Sequence, residues 1–468
     1  MHDSLTSWLL AAFVLLLAGA TQAPAEPNYP PPAPPEDDSH FGERIQRTMT
    51  LLATSTRNDR HRVRILFYGQ SIVGQNWWRR IVADLHVRFP YADIEVENRA
   101  IGGFAAQRLV RTAEHDLYPF YPDLLIFHVY GDHGRYEEII AETRRRTAAE
   151  IAIFTDHVGA KTERDEEDNF VDGRWTAFMA GFLQRTADTY GCELIEIRNP
   201  WKRYLRDNGL EPAALLKDNV HPNEYGGFLF AELIGRQLVH RPDVPRDAWA
   251  DLAATYVIGQ DADWRDGALT LEFDGNRVEL IAANESDGTS PPVSVRIDGR
   301  KPSELPELYV FTRPSKVHNV WPGIQRVSRG APLILEDWTA TITEAVGEAE
   351  DFAFEVRGSK TGFDGAGRKG ERFVSNSGRV VIEADDWHLQ RTCEFVHKPL
   401  EVGTEITWSV VPQFVDAYVP PAVENPASEY PTTVAQGLAN TTHVLELRCT
   451  AGETAPIAAI RVYRPPLK

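Results

Sequence analysis

Between residues 63 and 239 the chain alternates short apolar runs with longer stretches whose apolar positions recur at helical spacing. The runs at 63–68, 94–98, 124–129, 151–155 and 193–197 have strand length and a buried character. Between them, "QNWWRRIVADLHVRF", "YEEIIAETRRRTAAE" and "WTAFMAGFLQRTADTYG" carry one apolar face each when wound as helices, and a further helical pattern covers 44–53. Strands that alternate with helices predict a mainly parallel, three-layer α/β sheet. After "HRPDVPRDAW" the period changes. The runs "ALTLEF", "RVELIAA", "VSVRIDG", "FAFEVRG", "GRVVIEA", "EITWSVV", "HVLELRC" and "IAAIRVY" are punctuated by Gly, Pro, Asn and Asp, which predicts an all-β sandwich or jelly roll. The expected division is an α/β domain over 44–244 and a β domain over 245–468. Two domains also suit a length of 468 residues, beyond the ~250–300 that one hydrophobic core usually serves.

The first 43 residues fit neither pattern. An apolar run at 8–18 is followed by small residues, the layout of a signal peptide over 1–23, and "PAEPNYPPPAPPEDDSH" reads as a Pro-rich, extended linker over 24–43. This predicts a secreted or periplasmic protein. The segment before the run holds His2 and Asp3 but no Lys or Arg, so a retained N-terminal anchor is the alternative. A formal net charge of −19 argues against nucleic acid as a partner. The three cysteines, Cys192, Cys393 and Cys449, lack zinc-site spacing. In an exported chain either Cys393 pairs with Cys449 or all three are buried thiols.

Candidate chemistry begins where the first strand ends, at Gly69-Gln70-Ser71. Catalytic groups of open α/β sheets sit beyond the carboxyl ends of the strands, and a serine there needs a base to become a nucleophile. "LLKDNVHPNEYGG" supplies Asp218 and His221 just before a helix that begins near Glu224. This spacing lets the carboxylate meet one imidazole nitrogen while the other faces Ser71.

The order of these segments resembles that of the SGNH (GDSL) hydrolases, esterases and lipases with a flavodoxin-like fold and four sequence blocks. The resemblance spans about 63–239. Gly69-Gln70-Ser71 matches the first block, and the likeness assigns Ser71 as nucleophile. Asn98-Arg99-Ala100-Ile101-Gly102-Gly103 matches the second and assigns oxyanion-hole amides to Gly103 and Ser71. Asp218 and His221 match the last block and complete a triad. The third block departs: Tyr130, Asp132 and His133 stand where the family has Gly, Asn and Asp. An ionised Asp132 cannot donate to an oxyanion, and one missing donor costs about 10²–10³ in turnover. Either Asp132 is protonated, or His133 donates instead, or turnover is weak; His133 as the substitute donor is our expectation. His128 reads as a core histidine, and Trp77 and Trp78 as core and rim.

The second domain resembles, more loosely, jelly-roll modules of exported carbohydrate esterases. Together these likenesses imply a serine esterase that removes O-acetyl groups from an acylated carbohydrate without metal or cofactor. The alternatives are a weak or inactive carbohydrate-binding protein on the same fold, and a sugar O-acyltransferase.

Overall fold

The computed structural model describes residues 28–245, 250–450 and 452–467, so the expected signal peptide lies outside the described residues. One compact unit runs from Pro32 to Lys468 and holds both the α/β and the antiparallel parts. The first part consists of α1 (Gln46–Thr54), β1 (Arg62–Gly69), α2 (Trp77–Arg88), β2 (Asp93–Asn98), α3 (Ala106–Asp116), β3 (Leu124–His128), α4 (His133–Arg146), β4 (Glu150–Phe154), α5 (Arg174–Tyr190), β5 (Glu193–Ile195), α6 (Arg198–Asp207) and α7 (Glu224–Gly235). Its five strands are all parallel, in the flavodoxin-like order β2-β1-β3-β4-β5.

Both faces of this sheet are covered, which is why its central strands read as continuous apolar runs rather than alternating ones. Val63, Ile65 and Phe67 of β1 join a core with α1, α2, α6 and α7. Leu66 and Tyr68, pointing the other way, join one with α3, α4 and α5. Trp77 is core, its indole donating to the Ile72 carbonyl at 2.7 Å, whereas Trp78 is half-buried at the edge under Arg79. The Pro-rich segment is bound earlier than its composition suggested. Arg236 donates to the Ala33 carbonyl at 3.1 Å, Phe41 is buried, and the Gly42 amide donates to Glu193 at 2.8 Å. Proline removes donors but leaves carbonyls for arginines to find.

The second part consists of β6 (Ala253–Val257), β7 (Ala268–Ala282), β8 (Val293–Ile297), β9 (Tyr309–Phe311), β10 (Lys316–Val317), β11 (Trp321–Pro322), β12 (Asp337–Val346), β13 (Asp351–Gly358), β14 (Gly362–Arg368), β15 (Phe373–Val374), β16 (Val381–Ile382), α8 (Leu389–Val396), β17 (Glu405–Pro412), β18 (Ala417–Tyr418), β19 (Pro431–Arg448) and β20 (Ile457–Tyr463). A six-stranded sheet, β18-β8-β19-β7-β20-β6, and a five-stranded sheet, β14-β13-β12-β17-β9, keep separate apolar cores. β8 pairs with β18, so residues 309–412 form an insert that leaves and re-enters the larger sheet at adjacent strands. One expected turn is absent. Asp274-Gly275-Asn276 lies inside β7 opposite an irregularity in β19. A Cβ on Gly275 would stand 2.3 Å from the Tyr463 carbonyl, so the glycine serves a close backbone approach.

The insert is fastened to α3. Arg111 donates to the fully buried Asp386 at 2.6 Å, and Arg313 donates to Asp116 at 2.8 Å. The His115 ring bonds the Phe311 carbonyl at 3.0 Å and accepts the Val327 amide at 3.2 Å. Burial pulls this imidazole down to about 4, which keeps the accepting nitrogen free of a proton. Cys393 and Cys449 belong to different cores, and all three cysteines are free thiols.

Candidate active site

Ser71 stands two residues beyond β1, beside the point where the strand order reverses. Its turn requires Gly69: a Cβ there would sit 2.1 Å from the His128 carbonyl on β3 and 2.7 Å from Val73. No other residue lets β1 leave the sheet this close to its neighbour.

The loop before α7 brings the base. Ser71 Oγ lies 2.8 Å from His221 Nε2, and His221 Nδ1 lies 2.8 Å from Asp218 Oδ2. The other carboxylate oxygen accepts the backbone amides of Val220 and His221 at 2.8 and 2.7 Å. The His221 amide, the Val220 amide and then the imidazole together hold the exposed Asp218 carboxyl well below the usual range. The loop closes on itself through the Lys217 amide and the His221 carbonyl at 2.9 Å, and Asn223 caps α7. Three residues expected together are therefore brought together, in the expected order Asp–His–Ser.

Two further contacts brace this arrangement and were not foreseen. Lys217 Nζ donates to Gln75 at 2.6 Å, and Gln75 donates to the Ser71 carbonyl at 2.7 Å, linking the histidine loop to the serine turn. His157, three residues past β4, bonds the Val220 carbonyl at 2.7 Å through Nε2. Burial lowers His157 to about 4, so it is neutral and donates. A histidine just beyond a strand's carboxyl end was the one available signal, in "TDHVG".

On the opposite side of Ser71 lies the second block. A Cβ on Gly102 would be 3.7 Å from Ser71 Cβ, and Asn98 ties this loop back with a 2.8 Å bond to the Val73 carbonyl. Among the described residues the Ser71 and Gly103 amides donate to no protein acceptor. Gly103 has φ +79°, in the left-handed region.

The third block follows β3, the strand beside β1. Asp132 is the N-cap of α4, with Oδ1 accepting the Arg135 amide at 2.8 Å. An acid there suits the positive end of a helix. The His133 ring, expected as the substitute donor, sits among aromatic side chains of α5. Its Nε2 lies 2.9 Å from Met179 Sδ, and Trp175, Phe178 and Phe182 surround the ring at 4.8–5.2 Å. The helix was expected to start at Tyr136; it starts at His133, and that one-turn difference turns Asp132 into a cap. His128 is a core histidine, its Nε2 bonded to Asp156 at 2.9 Å and its ring stacked on Phe154, while its buried Nδ1 has no hydrogen-bond partner among the described residues.

Neither a protein-family model nor a curated protein matches the chain. Among solved structures, it is similar to Axe2, an acetylxylan esterase from Geobacillus stearothermophilus, at 19% identity over 38% of this chain and 95% of that one, TM-score 0.33. It is also similar to a two-domain esterase (CEX) active on acetylated mannans, at 14% identity over 91% of this chain and 95% of that one, TM-score 0.35.

Proposed function

We propose that the chain is a serine esterase of the SGNH hydrolase kind, with an α/β part over 44–244 and an antiparallel part over 245–468. The observation that carries this reading is the unbroken chain of two 2.8 Å contacts from Asp218 through His221 to Ser71. His221 Nε2 takes the hydroxyl proton as Ser71 Oγ attacks the ester carbonyl carbon, and Asp218 stabilises the imidazolium. The tetrahedral oxyanion accepts from the Ser71 and Gly103 amides. The intermediate collapses as the C–O bond to the alcohol breaks and His221 returns its proton to the leaving oxygen. Water, deprotonated by His221, then releases the acid from the acyl-enzyme.

The substrate we favour is an O-acetylated carbohydrate, met outside the cytoplasm after export. Trp175 and Phe178 support it: both are exposed, stacked with centroids 5.9 Å apart on the first turns of α5, and α5 begins at the sheet edge where Ser71 stands. Exposed aromatic faces of this kind suit the apolar faces of sugar rings. The test is acetate release from a panel of acetylated glycans and from a short-chain aryl ester. Ser71→Ala is expected to lose about 10⁴-fold or more in kcat; retained activity rejects the reading.

A second reading, a weakly active or inactive carbohydrate-binding protein, draws on the third block, whose Asp132 and His133 are both engaged elsewhere. Labelling with a fluorophosphonate separates the two: a competent triad is labelled at Ser71, and a degenerate one is not.

A further inference from the structure

We propose that Trp321, carried by the antiparallel insert, is a positioning residue that fixes the Gly102–Gly103 peptide so that the Gly103 amide serves the oxyanion. The proposal rests on the esterase reading above and adds a second structural part to its active site. Trp321 lies 219 residues downstream of Gly102, and its indole Nε1 donates to the Gly102 carbonyl at 2.6 Å. A trans peptide is planar, so its carbonyl and the following N–H point in opposite directions. With the Gly102 oxygen held at the indole, the Gly103 N–H is turned to the other side of that peptide, where Gly102 lies against Ser71.

Local bonds hold the ends of this turn, Phe104 amide to Ile101 carbonyl at 3.1 Å and Ile101 amide to Gly69 carbonyl at 2.9 Å, but neither is made by the peptide between the two glycines. Gly102 and Gly103 are consecutive glycines, both exposed, and neither has a Cβ to oppose rotation of the peptide between them. A flipped peptide would aim the Gly102 carbonyl at the developing negative charge. The tryptophan also fills the space above Gly103. A Cβ there would stand 2.9 Å from ring atom Cζ2, so the indole face excludes any larger residue.

Trp321 is itself held firmly. It is 8% exposed and belongs to the same apolar core as α3, α4 and α5, although its strand is part of the insert. Phe104, His388 and Phe395 pack around it with ring centroids at 6.2, 5.3 and 4.8 Å. The His388 amide donates to Gly323 at 2.9 Å, and the Arg111–Asp386 and His115–Phe311 bonds anchor the insert on either side. The antiparallel part is thus a component of the catalytic machinery.

The experiment replaces Trp321 in the full chain by 3-benzothienylalanine, which keeps the ring shape and removes only the N–H, and separately by Phe. Both are assayed on a short-chain aryl ester beside wild type and Ser71→Ala. The expected result is a loss of about 10²-fold in kcat. KM should stay within about threefold, because a donor used only in the transition state changes kcat alone. The pH profile and the melting temperature of the benzothienyl variant should be unchanged. Turnover within threefold of wild type overturns the proposal. So does a loss accompanied by a displaced pH profile or a lowered melting temperature, which would make Trp321 structural only. If Ser71→Ala is inactive while the benzothienyl variant is fully active, the esterase reading survives and only the role of Trp321 falls.

Discussion

The two sides of Ser71 are built in opposite ways. On the histidine side, Asp218, Val220 and His221 lie within four residues of one another, and their bonds are to each other: carboxylate to two amides, carboxylate to ring, and Lys217 amide to His221 carbonyl. On the glycine side local bonds hold the ends of the turn, Asn98 to Val73 and Phe104 to Ile101, while the Gly102 carbonyl is met by Trp321 on another sheet. The first side encodes its own geometry. The second borrows geometry from a residue that only the tertiary fold brings near. A substitution on the histidine side should therefore act locally, through the base, whereas one on the glycine side should act through the oxyanion.

The largest expected effect tests the local side. Asp218→Asn should lower kcat by about 10³–10⁴-fold, since an amide stabilises the wrong imidazole tautomer and cannot stabilise the imidazolium. Because hydrogen bonds depress the Asp218 pKa, its contribution is complete above the ordinary carboxylate range. It is lost only as pH falls through the depressed value. Between about pH 5 and 8, Asp218 should therefore add no transition of its own to the rate–pH profile. A rate–pH titration showing two acidic transitions in that range would contradict the assignment.

A smaller effect tests how self-sufficient the histidine loop is. His157→Phe keeps the aromatic packing against Trp201 and Phe230 but leaves the Val220 carbonyl without its donor. The loss of one part-buried bond is worth about 1 kcal/mol, and kcat should fall by about fivefold. His157→Gln, with an amide donor, should recover part of it. No change in kcat would mean that the loop needs no bracing from β4.

How much was legible in the sequence follows the same division. The strand–helix alternation, the parallel sheet and the Asp–His–Ser set are written in short segments, where spacing alone restricts geometry. Ser71 could be read because Gly69 marks an abrupt exit from an apolar run. Trp321 could not: "VHNVWPG" carries no sign that its tryptophan will reach a loop 219 residues upstream. β7 was misread for a related reason. Asp274-Gly275-Asn276 is a turn signal locally, and only the Tyr463 backbone pressing on Gly275 explains why the strand continues. In α4, the start was legible in principle, since an aspartate before a helical pattern is an N-cap signal. Asp132 was read for its place in the third block, and its capping of α4 was not considered.

The two roles open to Asp132 set up the smallest and most discriminating prediction. Asp132→Asn restores the residue type that the SGNH third block carries, and if Asp132 faced the oxyanion it should raise kcat by about 10²-fold. In the structure Asp132 caps a helix. Its Oδ1 accepts the Arg135 amide at the start of α4, and asparagine caps a helix about as well as aspartate. Only the favourable charge at the helix N-terminus is lost, worth about 0.3–1 kcal/mol. We therefore expect kcat within about twofold of wild type and a small fall in melting temperature. His133→Phe should be equally quiet in kcat, because its ring is enclosed by Trp175, Phe178, Phe182 and Met179. Two silent substitutions at the third block, beside a hundredfold loss on removing one indole N–H, would place the non-local control of the oxyanion site in the insert rather than in the α/β sheet.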